Sequence, residues 1–333
     1  MSMENGPQNI LLCTINDSES LAQIFSSYAL YSIFQNLGCN PVIYDDICRL
    51  DTTASEYIRK QCCVFSGMYA FSNREEHLEL FDLMVTGSSG RWKYADNESI
   101  DSKFLNFGNK NVKRTAYAPS FGKECNLPLG PKNAAFFLLE RFHGISVADN
   151  NTLSILGMEF GINAEKVCHP ILLTDRYPHS DIKEIEGLFI FTLFESPDSQ
   201  KQKAAEMAEE SLRYRVIDFS RNSGNIENRT VDEYLNGIEK SSLIVTDSAA
   251  VMHLAIIYQK PFIAVLSRKE NDSTECLTTL ENLGLTERVI YIEDDVREKR
   301  YLCKKPIRYE MANNILYDFR AASLRWLEDQ LKI

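Results

Sequence analysis

The stretch Ser242–Leu266, SLIVTDSAAVMHLAIIYQKPFIAVL, decides the fold. Leu243–Val245 is a short apolar, β-branched run that suits a buried parallel strand. Thr246, Asp247 and Ser248 follow at once, and small polar residues there make helix N-caps. Val251, Leu254, Ala255 and Tyr258 recur at helical spacing, and Lys260–Pro261 stops the helix. Phe262–Leu266 is a second apolar run. The stretch reads as strand–helix–strand. In open α/β sheets ligands sit outside the carboxyl ends of strands, at corners like 246–248, though many such corners are purely structural.

The same alternation runs outward in both directions. Toward the N-terminus, Asn9–Cys13 and Pro41–Tyr44 read as strands around a helix over Leu21–Leu37, a βαβ unit with a parallel sheet. Helices are expected at Ser55–Lys60, Glu75–Asp82, Lys132–Arg141 and Asn151–Phe160, the last capped near Thr152 or Asn151. Strands are expected at Leu83–Thr86, Lys113–Ala118 and Gly144–Val147, and Val167–Leu173 is a short apolar run. The chain turns polar from about Thr174 to Glu186, then resumes with a strand at Leu188–Phe194, a helix at Ser199–Leu212 and a strand at Tyr214–Phe219. Thr230–Glu239 is a helix opened by a capping box, Thr230 with Glu233. Beyond the opening stretch come a helix at Ser273–Leu283, a strand at Val289–Ile292, a charged connector at Glu298–Pro306 and a helix at Asn313–Ile333. The fold class is thus α/β with two Rossmann-like domains and parallel sheets: residues 1–175, residues 185–310, and a C-terminal helix over 311–333 packing back across the domains.

A chain of 333 residues exceeds one ordinary core and suits two domains. A formal net charge of −11 argues against nucleic acid as a partner. The nine cysteines have no CxxC and no metal-type spacing, which fits reduced thiols, a cytoplasmic location and no metal. The opening MSMENGPQNILL has no signal-peptide pattern, and no stretch reaches the roughly 18 apolar residues that span a bilayer.

The usual catalytic signatures, GxGxxG, GxxxxGKS/T, GxSxG and HExxH, are absent. Gly87–Ser88–Ser89–Gly90 could cradle an anion at a strand end or be a plain turn. Among five histidines, His253 lies on the helix after Ser248 and His169 in an apolar run, while His77, His143 and His179 suggest no arrangement. Arg221 and Arg229, and Arg268 with Lys269, follow strand ends where they could pair with phosphate or carboxylate or stay solvated.

Taken together, several stretches resemble the polysaccharide pyruvyl transferase family. They are Arg114–Gly122 (RTAYAPSFG), Gly144–Val147 with Asp149, Asn163–Leu173 (NAEKVCHPILL), Leu280–Arg288 (LENLGLTER) and, above all, Thr230–Phe262. Tyr28–Leu30, Leu37–Gly38 and Pro41–Tyr44 fit the family's opening unit, so the resemblance covers nearly the whole chain. It implies a two-domain fold similar to the GT-B glycosyltransferases. It also implies transfer of the pyruvyl unit of phosphoenolpyruvate, or a related donor, to a sugar or lipid-linked sugar acceptor in surface-polysaccharide biosynthesis. That chemistry needs cations for the donor and an acid for the vinyl carbon. No cofactor is implied, and a homo-oligomer stays open.

The chain departs from the family at telling positions. The family's Gly-Ser-Asp-Gln before Trp is here Gly87–Ser88–Ser89–Gly90–Arg91–Trp92, without the acid. Ala148 stands for an arginine, His169 for an aspartate, Ala250 for a histidine, and Glu275 near a position the family makes basic. The expected substrate contacts are Gly87, Ser88, Ser89, Arg91, Trp92, Ser120, Arg221, Asp247, Ser248 and Arg268, around a cleft between the domains, with His169 and His253 as candidate acids. Two alternatives stand beside pyruvyl transfer: a catalytically silent homologue serving as a binding or scaffold subunit, and a glycosyltransferase using a nucleotide-sugar.

Overall fold

The apolar runs of the sequence become two separate parallel sheets. The structure, a computed structural model, describes residues 7–15, 20–45, 53–66, 80–94, 99–109, 111–180, 186–196, 198–220, 229–269 and 273–332. The chain divides into two compact units, Met1–Thr174 with Tyr317–Ile333, and Asp175–Leu316. The long C-terminal helix, Tyr309–Leu331, begins in the second unit and ends in the first.

In the first unit seven strands form one sheet in the order β3-β2-β1-β4-β5-β6-β7. They are β1 (Asn9–Ile15), β2 (Asn40–Asp45), β3 (Val64–Ser66), β4 (Leu83–Gly87), β5 (Lys113–Tyr117), β6 (Gly144–Val147) and β7 (Glu165–Lys166). Every pairing is parallel. The chain runs from β1 outward to β3, then returns to β4 on the other side of β1. The order therefore reverses between β1 and β4, the kind of place where open α/β sheets bind ligands. Helices α1 (Leu21–Asn36), α2 (Thr53–Gln61), α3 (Leu129–Leu139) and α4 (Asn150–Phe160) cross from β1 to β2, β2 to β3, β5 to β6 and β6 to β7.

The second unit repeats this logic with five strands in the order β12-β11-β10-β8-β9. These are β8 (Phe189–Leu193), β9 (Arg215–Asp218), β10 (Leu243–Thr246), β11 (Phe262–Leu266) and β12 (Val289–Tyr291). All residues of β8, β10 and β11 are buried, as strands covered on both faces must be. The order reverses between β8 and β10, which pair Leu243 with Ile190 through Thr246 with Leu193. Helices α5 (Ser199–Leu212), α6 (Val231–Lys240), α7 (Ala249–Ile257) and α8 (Ser273–Asn282) follow the strands, and the C-terminal helix is α9. Helix α7 is buried from Ala250 to Ile256, all the way round, where the sequence suggested one apolar stripe.

Three local expectations change. Helix α4 is capped by Asp149, whose carboxylate accepts from the Thr152 amide, rather than by Thr152 or Asn151. Pro170–Leu173 winds into a short 3-10 helix. The charged connector contains a 3-10 helix, Val296–Cys303, because Val296 and Leu302 are buried in the core. The helix expected at 75–82 falls mostly outside the described residues.

Candidate functional site

Each sheet offers one switch point, and each is taken on its own. In the first unit the chain leaves β4 through Gly87–Trp92. A side chain at Gly87 would meet the Tyr117 carbonyl at 2.3 Å, so only glycine lets β4 and β5 end this close together. Ser88 has φ 90, a strained value for a residue with a side chain, and its Oγ donates to the Thr14 carbonyl at 2.6 Å. The turn thereby stitches the carboxyl ends of β4 and β1.

The remaining expected contacts of this turn are structural too. The Arg91 guanidinium is fully buried and donates to the carbonyls of Ile15 (3.2 Å) and Ser102 (3.0 Å). Trp92 is core: it stacks on Phe104 at 5.3 Å and its indole N–H donates to the Lys103 carbonyl. The Trp92 amide donates to the carbonyl of Ser120, a buried residue whose Oγ accepts from the Gly122 amide. Ser89 is half-buried, and its carbonyl accepts from the Gln23 side chain. The structure thus brings Gly87, Ser88, Ser89, Arg91, Trp92 and Ser120 together as the framework of a corner.

The second unit's switch point is built differently. Thr246 Oγ1 donates to the Leu193 carbonyl at 2.6 Å and clamps the ends of β10 and β8. Asp247 accepts from the Glu195 amide at 2.8 Å through Oδ1 and from Lys201 Nζ at 2.8 Å through Oδ2. Lys201 is 0% exposed and also donates to Ser196 Oγ. Burial pushes the Asp247 carboxyl above its ordinary range, and Lys201 and the amides only partly offset it. Ser248 is the N-cap of α7, yet its hydroxyl does not cap the helix. It donates to Glu195 Oε1 at 2.6 Å, bringing an exposed carboxylate to the helix N-terminus.

The other candidates lie apart from these corners. His253 is fully buried on α7, its Nε2 2.9 Å from Thr279 Oγ1 on α8, so it packs two helices together. His169 is buried at the start of the 3-10 helix, where Nδ1 accepts from the Ile171 amide. Neither is exposed enough to protonate a substrate. Arg268 forks onto Asp294 with two 2.8 Å bonds and lies 3.9 Å over the Tyr291 ring. Its charge is met by Glu293 and Asp294, both just beyond the end of β12. Arg221 lies outside the described residues.

Comparison with known proteins gives no matching family model and no matching curated protein. Solved structures do match, over essentially the full length. TarM superposes with a TM-score of 0.58 at 10% identity, covering 100% of both chains. LpCGTa in complex with UDP gives 0.57 at 11% identity, covering 98% of this chain and 99% of that one. The UDP-GlcNAc 2-epimerase from Neisseria meningitidis, bound to UDP-GlcNAc, gives 0.55 at 9% identity, covering 96% and 100%. The fold is that of the GT-B glycosyltransferases and epimerases.

Within this GT-B fold, two residues of the second corner had escaped notice in the sequence. Lys201 sits in a polar-looking stretch, SQKQK, and only its partner across the sheet explains its burial. Glu195 stands two residues beyond the buried strand β8, a position that marks a switch point only once the strand order is known. Among the described residues no group of His, Cys, Asp and Glu could hold a metal ion, and no helix is long and apolar enough to cross a membrane.

Proposed function

We propose that the chain is a sugar-transfer enzyme whose donor is a nucleoside-diphosphate sugar, held at the carboxyl ends of the strands of the Asp175–Leu316 unit. One observation carries this reading. The switch point between β8 and β10 presents an exposed, well-anchored carboxylate and a serine at the start of α7, in a fold whose neighbours were solved with UDP and UDP-GlcNAc. Open α/β sheets bind nucleotides at this kind of crevice. Titration calorimetry with UDP, UDP-GlcNAc and ADP-linked sugars tests it. Micromolar binding of at least one nucleotide, with release of the free diphosphate when an acceptor sugar is added, is the expected result. Heat-silent titrations with all of them would sink the reading.

Pyruvyl transfer is the second reading, favoured by the ordered set of family-like stretches from Arg114 to Arg288. The residues shared with that family, among them Gly87, Ser88, Trp92 and Ser120, hold backbone corners together and so report the fold more than the donor. Ala250, where the family keeps histidine, is fully buried within α7. Phosphoenolpyruvate separates the readings: binding of it without nucleotide binding would favour the pyruvyl donor. Binding of nucleotide-sugar without turnover on any acceptor would favour a silent subunit.

A further inference from the structure

Helices α3 and α4 of the first unit cover one face of its sheet, because the crossovers β5–α3–β6–α4–β7 run in a single direction. Their inner sides enter one core, with Ala135, Leu138 and Leu139 from α3 and Ile155, Leu156 and Phe160 from α4. The outer side is apolar as well. Leu129 is 77% exposed, Phe136 38%, Phe137 66% and Met158 79%, and the two phenyl rings meet edge to face. Lys132 shares a row of α3 with Leu129 and Phe136 and pairs with Glu159, the neighbour of Met158, so the four side chains form one patch. Lys132 and Glu159 are the only charged residues within the two helices, and each neutralises the other. Helix α5 of the second unit, by contrast, turns Lys203, Glu206 and Glu209 to solvent. A helix apolar all round is ordinarily buried, as α7 is.

Size and charge decide what covers this patch. Taking roughly 200 Å² for a fully exposed large side chain, the four expose about 500 Å², within the range where a surface patch marks an interaction site. A homodimer interface of standard size buries about 800 Å² per partner, about 65% of it apolar, which requires about 500 Å². The charges around the patch come as adjacent opposites, Lys123–Glu124, Glu140–Arg141 and Glu165–Lys166. An anionic membrane calls for an excess of cations beside the apolar side chains, and a charged partner for an unbalanced charge. A second copy of the same face calls for neither. We propose that α3 and α4 form the interface of a homodimer, packed against the same two helices of a second copy about a two-fold axis. In such a contact apolar side chains meet their own kind, and each Lys132 enters with its Glu159, so no unpaired charge is desolvated. The pairing is independent of which donor the chain takes.

Sedimentation velocity on the full chain over a concentration series tests this, with melting curves as a folding control. The wild type should be a dimer at low-micromolar concentration. Phe137→Glu places a like charge twice in the interface and should weaken the dimer by about a hundredfold or more. Met158→Glu should weaken it by about tenfold or more, and carries the test if Phe137→Glu melts early, because Met158 contributes least to the core. Tyr317→Glu, on an equally exposed side chain of α9, should leave the dimer intact. Raising salt from about 0.05 M to about 0.5 M should tighten the wild-type dimer, since it screens the repulsion between two chains of net charge −11 and spares the apolar contact. A wild type still monomeric at about 100 µM would overturn the proposal. A dimer that survives both Phe137→Glu and Met158→Glu would also overturn it, placing the interface elsewhere. A monomer that floats with phosphatidylcholine–phosphatidylglycerol vesicles, and no longer does so as Phe137→Glu, would overturn it in favour of a membrane face.

Discussion

The two switch points occupy equivalent places in their sheets and use polar residues in opposite ways. In the first unit, Ser88 and Arg91 donate to main-chain carbonyls of neighbouring segments, Thr14, Ile15 and Ser102. In the second, Asp247, Lys201, Glu195 and Ser248 bond chiefly to one another, and the network ends in an exposed carboxylate. The first corner closes a fold. The second closes a fold around an exposed acidic residue, Glu195. Sequence motifs with serine, arginine and tryptophan at a strand end thus carry little functional information until their partners are known.

The largest effect is expected where backbone meets backbone. Gly87→Val puts a side chain where the Tyr117 carbonyl already stands 2.3 Å from the Cβ position. No rotamer relieves that clash, so the sheet must separate between β4 and β5. A loss above about 4 kcal/mol, or no soluble protein, is expected by urea denaturation. Near-normal stability would show that the first corner is looser than its geometry implies.

Next comes the buried ion pair of the second corner. Lys201→Met leaves Asp247 buried without its cation, a loss of about 3–5 kcal/mol at neutral pH. Adding Asp247→Leu should recover much of it. The pH dependence follows from the raised Asp247 carboxyl. Between its ordinary value of 3.8 and the higher folded value, the folded state holds the proton more tightly, so Asp247 lowers stability as pH rises through that window. Without Lys201 the folded value rises further. The variant's deficit therefore shrinks as pH falls, which a denaturation series from pH 8 to 4 reads directly.

Arg91→Met is the matching experiment in the first unit. It strands the carbonyls of Ile15 and Ser102, for about 2–3 kcal/mol. Carbonyls do not titrate, so the part of the deficit that comes from these two bonds should be flat over the same pH range. A deficit that fades in acid would mean that Arg91 is an ion-pair partner after all.

These contrasts mark how far the sequence could be read. Alternating apolar runs located β8, β10 and β11 to within a residue or two, because strands buried on both faces need uninterrupted apolar residues. The Thr230–Glu233 capping box was legible because both partners lie within one turn. The Lys201–Asp247 pair was not, since its partners are far apart in sequence and lysine ordinarily reads as surface. His169 and His253 looked available for chemistry, and only packing shows them buried. Arg114, within one of the family-like stretches, likewise gives its guanidinium to the carbonyls of Leu105, Val112, Phe107 and Asn109.

The smallest effect belongs to Arg268, the cation at the end of β11 that the sequence offered as an anion contact. Its side chain is 49% exposed, and its fork onto Asp294 is a solvent-screened surface pair. The bond from Arg268 holds the Asp294 carboxyl below its ordinary 3.8. A lowered carboxyl contributes stability that is present above the unfolded value and lost as pH falls through the folded one. Arg268→Met should therefore shift the melting temperature only slightly, by an amount constant from pH 8 to about 5 that vanishes only below 3.8 and shrinks in salt. Nucleotide affinity should not change, because Asp294 already meets the guanidinium with two bonds. A tenfold loss of affinity would mean that a ligand phosphate displaces Asp294, and the second unit would then have two chemically active strand ends rather than one.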